Sequence, residues 1–138
     1  IGYTALEPHV VHPLTKEFEQ NLNDFAAICR VVNGMKKFSI GILGARTSKF
    51  KTVRYDEITL QKYGITCETF DLSDLFARVK NYSDDDEKVI ARAEHLKNYT
   101  DFSKVPADKL LTLSKVSVVI DDYMSEYRLD CITLRCWE

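Results

Sequence analysis

The stretch Phe38-Ser39-Ile40-Gly41-Ile42-Leu43 is a short, nearly continuous apolar run. Such a run is typical of a β-strand that is buried on both faces of a parallel sheet. Two further runs have the same character, from Ile65 to Phe70 and from Cys131 to Cys136. Helical patterns lie between the three runs, and strands that alternate with helices predict a parallel sheet covered on both faces.

The helices are predicted from apolar residues at spacings of three and four and from capping residues at their ends. In the first helix, Thr15 is the expected N-cap and Asn33-Gly34 the expected C-terminal signal. The other predicted helices run from Tyr55 to Tyr63, from Asp71 onward, from about Asp86 to Lys97, and onward from Pro106.

The order of elements also predicts the topology. Right-handed crossovers would place the first strand between the second and the third. We therefore expect an α/β fold with three layers, a mostly parallel sheet of strand order 2-1-3 and helices on both faces, as in flavodoxin-like and Rossmann-like proteins. The length of 138 residues suits a single domain over residues 1–138.

Composition excludes some classes of partner. A net charge of -2 offers no electrostatic basis for binding nucleic acid or an anionic membrane. No apolar run approaches the roughly 20 residues of a membrane span. The four cysteines form no C-x-x-C pair, so we expect free thiols in a reducing cytosol, with a disulfide framework or a zinc site as the alternatives.

Three other polar motifs have an ordinary structural interpretation. The acidic run Ser83 to Asp86 is expected to begin a helix rather than to bind calcium, since a calcium loop spaces its ligands over about twelve residues. His9 and His12 form the one paired-histidine motif, and a metal site there is the minority interpretation. The basic loop from Arg46 to Arg54 is expected to be solvated, with phosphate binding as the alternative.

The carboxyl edge of the predicted sheet is where a ligand would bind. Arg46 follows the first strand, and at the switch point of the sheet it should face Trp137 and Glu138 after the third strand. The indole offers an apolar face to sugar C–H groups, and the charged side chains can hydrogen-bond hydroxyl groups. We therefore predict Arg46, Trp137 and Glu138 as contacts for a polyhydroxylated ligand.

Several stretches of the chain carry a resemblance to a known family. In order they are Ile42-Leu43-Gly44-Ala45-Arg46-Thr47, Phe50-Lys51-Thr52-Val53-Arg54-Tyr55-Asp56-Glu57, Tyr63-Gly64-Ile65, Asp71-Leu72-Ser73, and Asp130 with Arg135-Cys136-Trp137-Glu138. Taken together and in this order, they resemble the L-fucose isomerase-like family of sugar isomerases, and the resemblance runs from about Phe25 to the end. Between Asn81 and Pro106 no motif matches.

The resemblance implies a cytoplasmic, metal-dependent aldose–ketose isomerase that works as a homo-oligomer. A divalent ion, typically manganese, would act as a Lewis acid while acidic residues move a proton through an enediol. In the family the metal ligands come after the Cys-Trp element. We therefore expect this chain to be a middle-domain fragment, inactive alone and without a metal of its own, in which Arg46, Trp137 and Glu138 contact substrate and no residue is catalytic.

A non-catalytic sugar- or nucleotide-binding module with a flavodoxin-like sheet is the alternative function.

Overall fold

A computed structural model describes residues 10–135 of the chain. These residues form five helices and three strands in the predicted order, and they divide into two compact units, one ending at Lys36 and the other beginning at Lys37. The elements are α1 (Lys16–Met35), β1 (Phe38–Leu43), α2 (Glu57–Lys62), β2 (Ile65–Phe70), α3 (Leu72–Asn81), α4 (Glu87–Tyr99), α5 (Ala107–Glu126) and β3 (Cys131–Leu134).

The three strands form one parallel sheet with the order β2-β1-β3, which confirms the predicted α/β topology. Ile42 in the central strand is aligned with Thr69 of β2 and with Thr133 of β3. The first crossover leads from β1 outward to β2, and the second returns past β1 to β3. Because crossovers are right-handed and these two run in opposite directions, they place their helices on opposite faces of the sheet.

One face of the sheet carries the core of the second unit. Leu43 of β1 is fully buried against Leu75 of α3 and Val119 of α5. Gly41 lies on the same face, where an added Cβ would be 2.5 Å from Cδ1 of Leu129. Glycine therefore lets the segment before β3 approach the central strand closely. The other members of the core are Tyr123 and, packed against it, Phe70, Leu72, Val79, Tyr82, Ile120 and Ile132.

The opposite face of the sheet is covered less completely, so the prediction that β1 is buried on both faces is wrong. Ile40 and Ile42 point to this face and remain half-buried. Cys67 lies beside Ile40, and its pKa is raised by burial and then by the nearby carboxylate of Glu57, which places α2 on this side. With six residues, α2 is only about 9 Å long, too short to cover the face.

Aspartates begin the three shorter helices of the second unit. Asp56 accepts hydrogen bonds from the backbone N–H groups of Ile58 and Thr59, and Asp86 accepts one from Lys88. These bonds satisfy donors that the first turn of a helix leaves free. The acidic run before α4 is therefore a helix start, as predicted. Asp71 begins α3 in the same way and is described with the site below.

Helix α1 makes up most of the described part of the first unit. Thr15 caps it as predicted, by accepting a hydrogen bond from the N–H of Phe18. The helix continues through Asn33 and Gly34 to Met35, one residue beyond the predicted signal. None of its residues is buried, and its apolar side chains Phe18, Leu22, Phe25 and Val32 are 38–56% exposed.

Within residues 10–135, none of the helices combines the length and the hydropathy that a membrane-spanning helix requires. The described cysteines Cys29, Cys67 and Cys131 are free and half-buried. Free thiols match the expectation from the sequence, and Cys136 lies outside the described residues.

Candidate functional site

The carboxyl ends of the three strands are joined by backbone hydrogen bonds. The N–H of Gly44 donates to the carbonyl oxygen of Phe70 at 2.9 Å, and the N–H of Arg135 donates to that of Leu43 at 2.9 Å. These bonds continue the strand pairing by one residue beyond β1 and β3. Residues that follow different strands, and lie far apart in sequence, are therefore held together at one edge of the sheet.

The loop after β1, residues 45–56, folds back on itself. The N–H of Phe50 donates to the carbonyl oxygen of Thr47, and the N–H of Val53 donates to that of Phe50. The side chain of Arg46 also donates to the Phe50 carbonyl, from Nη1 at 2.9 Å. The guanidinium of Arg46 is thus tied to the loop that it begins, and Phe50 and Val53 are brought back toward the end of the sheet.

A cavity of about 470 Å³ opens between this loop and the carboxyl ends of the strands. Its walls combine two guanidinium groups, four hydroxyl groups and several apolar side chains. The lining residues are Ile42, Leu43, Gly44, Ala45, Arg46, Thr47, Phe50, Val53, Tyr55, Thr69, Thr133, Leu134 and Arg135. A mostly apolar cleft with a few convergent polar groups is the usual form of a small-molecule site.

Tyr55 supplies both an aromatic face and a hydroxyl group to this cavity. Burial raises the pKa of the Tyr55 phenol, and the Cys67 thiol and the Glu57 carboxylate raise it further. Since the unperturbed value is already near 10, the hydroxyl is protonated at neutral pH. It can therefore donate a hydrogen bond to a ligand oxygen, while the ring presents an apolar surface.

A second cavity of about 350 Å³ lies at the same edge and shares Gly44, Ala45, Thr69 and Arg135 with the first. It is lined by Asp71, which directly follows β2. Oδ1 of Asp71 accepts a hydrogen bond from the N–H of Ser73 at 2.7 Å and so caps α3. Hydrogen bonds from the Ser73 hydroxyl and N–H lower the pKa of Asp71, which favours the ionised, capping form.

The structure places Arg46 in the cavity wall at the predicted edge. The other two predicted contacts, Trp137 and Glu138, lie outside the described residues. The prediction that Arg46 faces them therefore stays a prediction.

The sequence did not predict the roles of Phe50, Tyr55, Thr69 and Thr133 in the wall. Thr69 and Thr133 flank Ile42 in the register of the sheet. Side chains in register in a parallel sheet point to the same face, so an alignment of the three runs is the signal that could have found these threonines.

The family resemblance implies a divalent metal ion, which His, Cys, Asp or Glu side chains would hold. Among residues 10–135, no group of three or more His, Cys, Asp or Glu side chains is arranged to hold a metal ion. His12 is exposed, and its Nδ1 accepts a hydrogen bond from the N–H of Leu14, while its predicted partner His9 lies outside the described residues. The described residues therefore do not fit a metal centre, and we assign no reaction step to a metal that they hold.

The chain matches no protein-family model and no curated protein. The features that indicate a function for this chain are the parallel sheet, the cavity at its carboxyl edge and the sequence resemblance described above.

Proposed function

We propose that this chain provides a substrate-binding wall of a cytoplasmic, metal-dependent aldose–ketose isomerase, a homo-oligomer similar to L-fucose isomerase-like enzymes. The supporting observation is the cavity of about 470 Å³ at the carboxyl edge of the sheet. Ligands of open α/β sheets bind at this edge, beside the strand where the order reverses. Here that strand is β1, with β2 on one side and β3 on the other.

The chemistry of the walls suits a sugar. The hydroxyl groups of Thr47, Thr69 and Thr133 can donate or accept hydrogen bonds, and the guanidinium groups of the wall can donate to ring and hydroxyl oxygens. Phe50 and Tyr55 offer apolar ring surfaces to the C–H faces of a sugar. A ligand with hydroxyl groups on its edges and apolar patches on its faces complements such a lining.

In this proposal the described residues bind and orient the substrate. An aldose becomes a ketose when a proton leaves one carbon and is returned to its neighbour through an enediol. The described residues that line the cavity include no carboxylate and no imidazole that could carry this proton. In the family that the chain resembles, the metal ligands come after the Cys-Trp element, and we propose on that ground that the proton-transferring groups and the divalent ion that polarises the sugar oxygens are contributed by residues of a longer protein.

Sugar binding and turnover test the proposal separately. In ¹⁵N-edited NMR spectra, titration of the 138-residue chain with L-fucose or D-arabinose should shift the amide signals of Thr47, Thr69 and Thr133. Addition of manganese should produce no ketose. A longer protein from the same gene should form ketose. There, Arg46→Ala should lower kcat/KM by roughly tenfold to a hundredfold because the substrate is less well positioned.

Arg54→Ala is the matched control for Arg46→Ala. The Nε of Arg54 donates to the carbonyl oxygen of Lys51 at 3.1 Å, a loop contact like that of Arg46, but Arg54 does not line the cavity. It should leave kcat/KM unchanged. Ketose formation by the 138-residue chain alone would contradict the division of the site that we propose.

A non-catalytic sugar- or nucleotide-binding module remains the second candidate. The two guanidinium groups in the wall favour it, since they would suit the phosphate of a nucleotide. A longer protein that binds sugar or nucleotide but forms no ketose with manganese present would support this candidate over the isomerase.

A further inference from the structure

We propose that helix α1 is a surface through which two copies of this chain pair, with the two α1 helices antiparallel. The inference rests on the proposed function only in taking the protein to be a homo-oligomer, and it adds which surface makes a contact between subunits. It involves no residue of the cavity wall, so pairing and sugar binding can be tested separately.

A stripe of exposed apolar side chains runs along α1. Its residues recur at spacings of three and four over a helix of 20 residues, which is about 30 Å long. None of them is buried, and each is 38–57% exposed. The large side chains of this apolar stripe are Phe18, Leu22, Phe25, Ile28, Val32 and Met35.

The area of the apolar stripe is sufficient for a small dimer interface. Six large side chains, each about half exposed, offer on the order of 500 Å² per copy, or about 1,000 Å² for a pair. A specific protein–protein interface requires about 1,000 Å² in total. Since this area is at the lower end of specific interfaces, we expect a Kd of roughly 1–100 μM.

The apolar stripe is arranged symmetrically about Phe25. Leu22 and Ile28 lie three residues before and after it, and Phe18 and Val32 lie seven residues before and after it. A two-fold contact requires a patch that is complementary to itself. In an antiparallel pair centred on Phe25, every one of these apolar levels of one copy meets an apolar level of the other. This symmetry favours a second copy of the chain over an unrelated partner.

The charges of α1 favour the antiparallel direction. The first half of the helix, residues 16–25, contains three carboxylates and one lysine. The second half and the C-cap contain Arg30 and Lys36 and no carboxylate. An antiparallel pair places the acidic half of one helix beside the basic half of the other, and it also opposes the two helix dipoles. A parallel pair would place like charges together.

Sedimentation equilibrium of the 138-residue chain without sugar tests the pairing. The average mass should rise with concentration from 15.9 kDa toward twice that value. Phe25→Glu places a carboxylate from each copy near the two-fold axis and should raise the Kd of the dimer at least about tenfold. Asn23→Glu is the matched control, because Asn23 is exposed and lies about 200° around the helix from Phe25. It should change the Kd by less than about twofold.

Leu22→Gln is a second variant, which removes an apolar side chain from the stripe without adding charge. It should raise the Kd of the dimer by roughly fivefold or more. The urea transition of the second unit should be the same in all variants, since its core contains no residue of α1. A weakened dimer is then a property of the helix face and not of a misfolded chain.

The direction of pairing is tested by isotope-filtered NOE spectra of a dimer that combines labelled and unlabelled chains. In the antiparallel pair, the ring protons of Phe18 should contact the methyl groups of Val32 of the partner subunit. In a parallel pair these two residues would be about 21 Å apart along the helix axis, and Phe18 would instead contact Phe18 of the partner subunit.

The outcomes separate this inference from the proposed function. If the wild type stays at 15.9 kDa up to about 1 mM, or if Phe25→Glu and Asn23→Glu weaken the dimer equally, the α1 contact is overturned. Sugar binding is then still decided by the amide shifts of Thr47, Thr69 and Thr133. Contacts between the two Phe18 rings would overturn the antiparallel arrangement. If the dimer forms as expected but sugar shifts no amide signal, the proposed function fails and this inference stands.

Discussion

Gly44 is the residue on which the geometry of the cavity depends most directly. Its φ angle of 87° lies in the left-handed region, which side chains other than glycine rarely adopt. A Cβ at this position would also lie 2.8 Å from Cγ of Leu72 and 3.0 Å from Cβ of Arg135. Glycine therefore allows the chain to leave β1, while the start of α3 and the end of β3 pack closely around it.

Gly44→Ala should destabilise the second unit by about 2–4 kcal/mol, from left-handed strain together with overpacking. The control is Gly34→Ala in α1, where an added Cβ meets nothing within 4 Å and φ is not positive. That change should be neutral or stabilise its helix by up to about 1 kcal/mol. Urea unfolding followed by circular dichroism measures both, and equal effects of the two substitutions would refute the argument.

At the scale of elements, α3 and α5 are joined by a polar cluster at the edge of the core. The hydroxyl of the fully buried Tyr123 donates to the Asp74 carboxylate. The guanidinium of Arg78 lies 4.4 Å from the centre of the Tyr123 ring and donates to Asp74 at 3.1 Å and to Glu126 at 2.6 Å. The phenol of the buried Tyr123 therefore has a hydrogen-bond partner, as buried polar groups require.

Tyr123→Phe removes the phenol from this cluster and should lower the free energy of unfolding by about 1–2 kcal/mol at neutral pH. Burial and the hydrogen bond to Asp74 raise the pKa of Tyr123 from 10.0 to about 12. Because this pKa is raised, the protonated phenol of Tyr123 stabilises the folded state fully below pH 10, and this stabilisation is lost as the pH rises toward 12. Urea unfolding between pH 7 and 12 should show this alkaline loss in the wild type but not in the variant.

Tyr123→Phe should also change how the free energy of unfolding depends on pH in the acid range, through its effect on Asp74. The Tyr123 hydrogen bond is the largest cause of the lowered pKa of Asp74, followed by the charge of Arg78. The ionised Asp74 therefore stabilises the fold above the ordinary pKa of an aspartate, and this stabilisation is lost as the pH falls through the lowered pKa. Tyr123→Phe should reduce this loss of stability at acid pH. Tyr99→Phe is the control, because Tyr99 is 81% exposed, and it should leave the pH dependence of unfolding unchanged at both acid and alkaline pH.

At the scale of the whole molecule, the core of the second unit is drawn from that unit alone. Its four buried members, Leu43, Leu75, Val119 and Tyr123, come from β1, α3 and α5. Helix α1, which makes up most of the described part of the first unit, contains no buried residue. We therefore expect residues 37–138 to contain what cooperative folding of the sheet requires.

A chain of residues 37–138 should keep one cooperative urea transition, with a free energy of unfolding within about 2 kcal/mol of that of the full chain. A chain of residues 1–106, which lacks α5 and β3, should lose the transition because Val119 and Tyr123 are gone. Noncooperative unfolding of residues 37–138 would show that the first unit is needed for the core.

The candidate site was only partly predictable from the sequence. Arg46 could be placed because it follows a strand, and the carboxyl ends of parallel strands meet at one edge. Thr69 and Thr133 were not placed, because their position in the wall depends on the register of three strands, and only an alignment of the three apolar runs could have indicated it. The contribution of Phe50 and Tyr55 depends on how the loop folds back through the Thr47 and Phe50 carbonyls, which no periodic pattern encodes.

The sequence by itself determined the helices, the strands and the 2-1-3 order, because capping, periodicity and crossover handedness act over short stretches or obey a general rule. Only the tertiary structure decided that one face of the sheet is densely packed while the other is half-covered. It also decided that two guanidinium groups share one cavity. Those properties depend on the length of α2, on strand register and on the path of a loop, which follow from contacts between residues distant in the chain.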